Sequence, residues 1–182
     1  MKISGKFIYL KKIKTSDALF VYKLRQIKSN KLYLHSPPKS IKDQKKWIIN
    51  NTKDKTSLDF VIYNITNNRK IGTIAFNNIT KKNAEWGRWI SVGNSIQNIE
   101  SVLVMLSYGF KKLKLKEIYS LTNVNNKKVV NFHSKSFAKY KALIKSKFFI
   151  KNKKTDAANY EFNLTRLKHF KTKFKIMTQS TQ

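Results

Sequence analysis

One stretch, IGTIAFNNITKKNAEWGRWISVGNSIQNIESVLVMLSYGF from Ile71 to Phe110, limits what this chain can fold into more than any other. Ile71–Phe76 is apolar and β-branched, and Ala84–Ser91 alternates around Trp86 and Trp89, so both read as strands. Asn77, Asn78 and Lys81–Asn83 supply the turn between them. From Ile99 the period changes. Ile99, Val102, Leu103, Leu106, Phe110 and Leu113 recur at helical spacing and share one face. The polar loop Gly93–Asn98 therefore delivers a strand into the N-terminus of a long amphipathic helix. Unpartnered N–H groups and aligned peptide dipoles leave such a terminus partly positive. A glycine-containing loop there suits a phosphate, although strand, loop and helix occur together in many α/β proteins. Asn94 or Ser95 is placed to cap the helix, with Gln97 as capping-box partner of Asn94.

The flanking chain extends the same sheet. Phe7–Ile13 reads as a first strand, stopped where Thr15-Ser16-Asp17 offers helix caps. Ala18–Ile27 is a helix with one apolar side, and Lys31–Lys39 is a loop because Pro37-Pro38 cannot enter a helix interior. Ser40 caps a second helix, with Asp43 at its third position and Trp47 and Ile48 on the buried side. Leu58–Ile65 alternates as a strand and turns at Asn67-Asn68 into Ile71. Glu117–Thr122 is a strand and Asn126–Lys139 a short helix. Phe148–Lys151 and Ala158–Leu164 form a closing hairpin across Lys153–Asp156. With 182 residues and no internal repeat or linker, one domain is expected over 1–166, followed by a basic, then polar tail, 167–182, that frays.

Charge narrows the function classes. Lys and Arg number 39 against 9 acids, a formal net charge of +30, which draws anionic ligands. Yet only Arg25, Arg69, Arg88 and Arg166 are arginine, the residue favoured for bidentate phosphate and guanine contacts. Lysine is spread along the whole chain beside asparagine and isoleucine, which looks more like compositional drift than a designed groove, so no specific nucleic acid is expected. The chain has no cysteine, which excludes a disulfide frame, a thiolate metal site and a cysteine nucleophile. No apolar run has the length of a membrane span and the first residues lack a signal-peptide core, so a cytoplasmic location is expected.

The order β-α-α-β-β-β-α-β-α-β-β resembles the GNAT superfamily of acyl-CoA-dependent N-acetyltransferases, from about Phe7 to Leu164. The phrases that carry the resemblance are Asp17…Leu24-Arg25, Gln44-Lys45-Lys46-Trp47, Ile71-Gly72-Thr73-Ile74, Ala84-Glu85-Trp86-Gly87, Tyr108-Gly109-Phe110 and Asn126…Phe132-His133. They are similar to the branch holding nucleotide-amino-sugar and ribosomal-protein Nα-acetyltransferases. The implied fold is α/β (α+β). It is a single GNAT-like domain with a central mixed, mostly antiparallel sheet of six or seven strands and about four flanking helices.

Acyl transfer from a thioester to an amine is the implied chemistry, with acetyl-CoA or another short acyl-CoA as co-substrate and no metal. The amine must lose a proton, and the thioester carbonyl is polarised by backbone N–H groups of Arg88–Ser91, exposed where two strands splay. Glu85 is the first candidate base and His133 a second acid or base, since an unperturbed imidazole titrates near 6.5. A surface role is the competing reading of each. Trp89, Ile90, Ser91, Gly93, Asn94, Ser95, Gln97, Asn98 and Asn126 are the candidate coenzyme A contacts; helix capping competes for Asn126. Arg25, His35, Trp86 and Arg88 are the candidate acceptor contacts; a surface salt bridge competes for Arg25, a plain loop position for His35, and core packing for Trp86 and for Trp89. The family's phosphate loop reads R/Q-x-x-G-x-G/A, and the matching stretch has no glycine after Gly93. Either Asn94, Ser95 and Gln97 assist the pyrophosphate or binding is weakened. Counted from Asn126, His133 stands where the family commonly has tyrosine, with Ser136-Phe137 one residue short of its Gly-Phe pair. Counted from Asn125, that spacing is restored but Phe132, which cannot donate a proton, takes the tyrosine position.

The expected acceptor is a nucleotide-linked amino-deoxy sugar, because Phe76–Thr80 and Ala84–Gly87 look most like that sub-branch and a cationic cleft suits a diphosphate. The competing readings are protein Nα-acetylation and a non-catalytic lysine-rich nucleic-acid-binding module. A homodimer is left open.

Overall fold

Period-two and period-3.6 segments alternate along the chain as β1 (Lys2–Ser4), β2 (Ile8–Lys12), a 3-10 turn (Thr15–Asp17), α1 (Ala18–Gln26), α2 (Ile41–Lys53), β3 (Leu58–Asn64), β4 (Lys70–Asn77), β5 (Asn83–Ser91), α3 (Ser95–Lys111), β6 (Glu117–Asn123), α4 (Lys127–Lys135), β7 (Lys139–Ile150), β8 (Lys153–Phe162) and α5 (Leu164–Gln179). They belong to a computed structural model that describes residues 1–28, 32–33, 38–150 and 152–179. The strands form one eight-stranded sheet in the order β1-β2-β3-β4-β5-β6-β8-β7. Every pairing is antiparallel except β5 with β6.

Alternation sorts the strand residues to two faces. Ile8, Leu10, Phe60, Ile62, Ile74 and Phe76 pack against Val102, Leu103, Met105, Leu106 and Phe110 of α3 and Leu167 and Phe170 of α5. Val61, between two of those positions, turns to the opposite face and meets Val21 of α1 and Ile48 of α2. The result is a sheet with helices on both faces.

The single α/β domain with a mixed, mostly antiparallel sheet is as expected, with eight strands and five helices among the described residues rather than six or seven and about four. Three differences have local causes. β7 starts at Lys139, because register shifts between Tyr140/Ala142 and Ile144/Phe148 break its period of two. The reversal falls at Asn152 (φ 61°), so Lys153–Asp156 lies in β8 instead of turning. The tail from Leu167 to Gln179 is helix instead of fraying, since Leu167 and Phe170 are buried and Phe174 packs on the same core.

Glu100, inside α3, is a long-range anchor. Its carboxylate accepts from the N–H groups of Lys6 (2.6 Å), Phe7 (2.7 Å) and Ile8 (2.9 Å), tying the β1–β2 turn to the helix. The turn must come so close that a Cβ on Gly5 would lie 2.5 Å from the Glu100 carboxyl carbon.

At the outer edge of the sheet, Tyr140, Leu143 and Phe149 of β7 pair with Tyr160, Ala158 and Lys154. Those are alternate positions of β8, so the two irregularities keep all three exposed apolar side chains on one face.

Gly72 sets how closely β4 approaches β5. A Cβ there would come 2.5 Å from Ile90 O and 3.0 Å from Ser91 Cα, both backbone atoms that cannot rotate away. Gly72→Ala is expected to cost about 2 kcal/mol, a fall of about 4–8 °C in Tm by thermal unfolding. An unchanged Tm would mean that the strands separate freely at this point.

Candidate active site

The site begins where β5 and β6 part. Their parallel ladder has three residue pairs, Asn83–Glu85 with Glu117–Tyr119, and beyond these the strands diverge. β5 also bulges against β4: Ala75 pairs with Gly87 and Thr73 with Ile90, so β5 carries one extra residue. Arg88 absorbs it with φ 48°, a left-handed conformation that costs a non-glycine residue about 1 kcal/mol or more. The Thr73 hydroxyl donates to the Arg88 carbonyl oxygen at 3.1 Å and holds the bulge. A cavity of about 610 Å³ fills the divergence. Its walls are β5 from Glu85 to Ile90, β6 from Ser120 to Asn123, Arg25, Gln44 and Trp47 on the α1–α2 side, and Asn126 and Val129 at the start of α4.

Glu85 stands at the last paired position of the ladder and faces this cavity. Burial raises its pKa, against the opposing pull of the Asn78 hydrogen bond and the charges of Lys147 and Arg88. Asn78 Nδ2 donates to Oε2 at 3.0 Å. Tyr119, its partner across the ladder, is also pushed up, first by burial and then by the Glu85 charge.

His133 lies elsewhere than its sequence position implies. The ring is fully buried, stacked on Tyr160 at 4.3 Å and tilted against Trp86 at 5.4 Å, and it does not line the cavity. Burial pulls its pKa down to about 3, so it stays neutral at physiological pH and does not titrate near 6.5. Its Nε2 lies 3.0 Å from Thr122 Oγ1 and 3.2 Å from Ser120 Oγ, and these two residues do line the cavity.

The α1–α2 wall carries more hydrogen bonds than the sequence suggests. Arg88 Nη1 donates to both oxygens of buried Asp59 (3.1 and 3.0 Å), to Asn51 Oδ1 (2.8 Å) and to Ser57 Oγ (3.1 Å). Its guanidinium lies 5.0 Å from the Trp47 ring centre, so Trp47 is 37% exposed at the cavity rim rather than buried as expected. Arg25 lines the same wall, and burial followed by the Arg88 charge lowers its pKa. Gln44 is 1% exposed with its Oε1 unpartnered among the described residues, an acceptor the sequence did not single out. Trp86 bounds the cavity but is 2% exposed within the main core, so packing uses most of its ring. Trp89 packs beside it against Phe132 at 4.9 Å. His35 lies outside the described residues.

The loop into α3 has the expected capping box. Gln97 N–H donates to Asn94 Oδ1 (2.9 Å) and Asn94 N–H to Gln97 Oε1 (3.1 Å). Ser91 Oγ accepts from Gly93 N–H (3.0 Å), and Asn98 Nδ2 donates to Gly93 O (2.9 Å). The Asn94, Gln97 and Asn98 side chains are thus bound within the loop rather than turned outward, and residues 93–98 do not line the cavity. Ser95 is exposed and leads the helix, which leaves the first-turn N–H groups of Ser95 and Ile96 for an anion. Asn126 combines both readings: it caps α4 by accepting from Val129 N–H at 3.4 Å, and it lines the cavity. Among the described residues, no group of three or more His, Cys, Asp or Glu side chains is placed to hold a metal.

Comparison with known proteins agrees with this architecture. The nucleotide-linked-sugar GNAT FdhC, in its apo form, superposes with a TM-score of 0.79 at 23% identity, covering 96% of this chain and 97% of its own. A GCN5-related N-acetyltransferase from Brucella melitensis gives 0.84 at 12% identity over 97% of this chain and 84% of that one. Spermidine N-acetyltransferase from Vibrio cholerae, in complex with CoA and spermine, gives 0.79 at 19% identity over 90% and 99%. At these identities the likeness is one of fold. A search of curated protein sequences returns no match. The model of the acetyltransferase (GNAT) domain, however, matches residues 8–136, from β2 through the splayed strands to the end of α4. By that match, the chain belongs to the GNAT family of acyl-CoA-dependent N-acetyltransferases.

Proposed function

We propose that the chain moves an acetyl or other short acyl group from acyl-CoA to the amine of a nucleotide-linked amino-deoxy sugar, for surface-glycan biosynthesis. The observation that carries the acceptor class is the pair Arg25 and Arg88 on one wall of the cavity, in a chain of net charge +30. Asp59 is already matched to Arg88, so the charge that favours a diphosphate over a polycationic amine comes from Arg25 and from the +30 of the chain as a whole.

Acyl-CoA, when bound, supplies the thioester. Residues of this chain do the rest. Glu85 takes the proton that the attacking amine must lose. Backbone N–H groups in Arg88–Ser91, turned by the bulge, donate to the thioester oxygen as charge builds on it. Free N–H groups at the start of α3 hold the pyrophosphate, and Gln44 Oε1 accepts from a sugar hydroxyl or the amine.

Thermal unfolding with acetyl-CoA at about 100 times its dissociation constant is expected to add roughly 2.7 kcal/mol, or about 5–10 °C in Tm. Dephospho-CoA and ATP at matched ionic strength control for charge attraction. An equal shift with ATP would overturn the acyl-CoA site. Acetylation of spermidine but of no UDP- or dTDP-linked amino sugar would overturn the acceptor.

A further inference from the structure

We infer that the Ser120 hydroxyl, oriented through Thr122 by the buried His133, donates a hydrogen bond to the leaving sulfur of the acyl donor. The inference rests on the acyl-transfer reading of the cavity and adds a group that reading does not contain. Ser120 is the first residue of β6 beyond the ladder with β5, so it stands at the apex of the divergence. If the thioester oxygen turns to the β5 N–H groups, the sulfur faces the β6 wall, which carries the Ser120 and Thr122 hydroxyls with Leu121 between them.

The direction of the hydrogen bonds follows from His133. Its Nδ1 is buried without a partner among the described residues, whereas Nε2 has two hydroxyl oxygens within reach. A buried N–H with no acceptor is costlier than a bare ring lone pair, so the single ring proton belongs on Nε2. Nε2–H then donates to the nearer oxygen, Thr122 Oγ1 at 3.0 Å. The Thr122 hydroxyl passes its own proton direction to Ser120 Oγ at 3.3 Å. Ser120 has its acceptor side filled and its O–H left to point into the cavity. Tyr160 and Trp86 clamp the imidazole, so the chain of donors is fixed before substrate arrives.

In the step itself the amine nitrogen bonds to the acyl carbon and the carbon–sulfur bond breaks, its electron pair remaining on sulfur. Glu85 holds the amine proton. The departing thiolate is protonated from solvent, so Ser120 gives a hydrogen bond and no proton, as a hydroxyl far less acidic than a thiol requires. Ser120 touches the reacting atoms; Thr122 and His133 are positioning residues.

The test is steady-state kinetics of the full chain with acetyl-CoA and a UDP- or dTDP-linked amino sugar, using Ser120→Ala, Ser120→Thr, Thr122→Val and the Ser120→Ala/Thr122→Val pair. Circular dichroism and Tm confirm folding of each. Ser120→Ala is expected to lower kcat about tenfold to a hundredfold, with KM for acetyl-CoA within about twofold. Ser120→Thr keeps the hydroxyl and should recover most of the rate. Thr122→Val should lose less than Ser120→Ala, and the pair should lose no more than Ser120→Ala alone, because both act through one chain. The pH–rate profile should keep its position, since no titrating group is removed. An unchanged kcat in folded Ser120→Ala, or losses that multiply in the pair, would overturn the inference and leave the acyl-transfer reading intact. A wild-type chain that transfers acetyl to no amine would remove that reading, and this inference with it.

Discussion

Glu85→Gln is expected to lower kcat about 10²- to 10⁴-fold while the fold is kept, because the amide is isosteric and its oxygen still accepts from Asn78 Nδ2. The pH dependence gives the sharper reading. A base acts only when deprotonated, so kcat/KM of the wild type falls as pH drops through the Glu85 pKa. Burial raises that pKa, which places the fall nearer neutrality than an exposed glutamate would. The variant has no such group, so its residual rate should lack that acid limb. If the limb persists in Glu85→Gln, or if kcat is retained, the proton is taken by another group or by a water chain.

Loss of Glu100 is expected to have the largest effect on stability. Glu100→Ala leaves the Lys6, Phe7 and Ile8 N–H groups without their acceptor, a carboxylate that is itself buried. At about 1 kcal/mol or more for each, the expected loss is about 3 kcal/mol, or about 6–12 °C in Tm. Gly5→Ala attacks the same contact from the other side, since its Cβ would meet the carboxyl carbon at 2.5 Å. The two losses should not add in the double variant, because either one breaks the latch. Additive losses, or a fall below about 1 kcal/mol in Glu100→Ala, would show that water satisfies the turn.

What the sequence revealed and what it hid divide by distance along the chain. The Asn94–Gln97 capping box and the Ser40–Asp43 cap were legible because each is an interaction across three residues. Glu85 was legible as an acid on a strand that enters the cleft. The Arg88–Asp59 pair and the Glu100 latch join residues 29 and more than 90 positions apart, and nothing local announces either. His133 shows the limit most clearly. Its place in α4 follows from helical spacing, but its burial depends on Tyr160 and Trp86 arriving from two other strands. Ser120 and Thr122 did leave a signal: hydroxyls alternating with Ile118 on one face of β6, where a core strand would continue apolar. The many lysines of α5 mask the spacing of Leu167, Phe170 and Phe174, so from Leu167 onward the sequence alone reads as a fraying tail.

The lysines have one physical consequence that needs no ligand. β7 is an outermost strand twelve residues long, with Tyr140, Leu143 and Phe149 exposed on a single face, and an edge of that kind is a template for pairing with another edge. Lys139, Lys141, Lys145 and Lys147 punctuate the same strand. Between two approaching copies, each of net charge +30, like-charge repulsion opposes edge-to-edge contact before the apolar residues meet. That protection is electrostatic, so it shortens with the Debye length, to about 10 Å at 0.1 M salt and about 3 Å at 1 M. The lysine-rich composition thereby acts as a colloidal stabiliser, one whose strength the surrounding electrolyte sets.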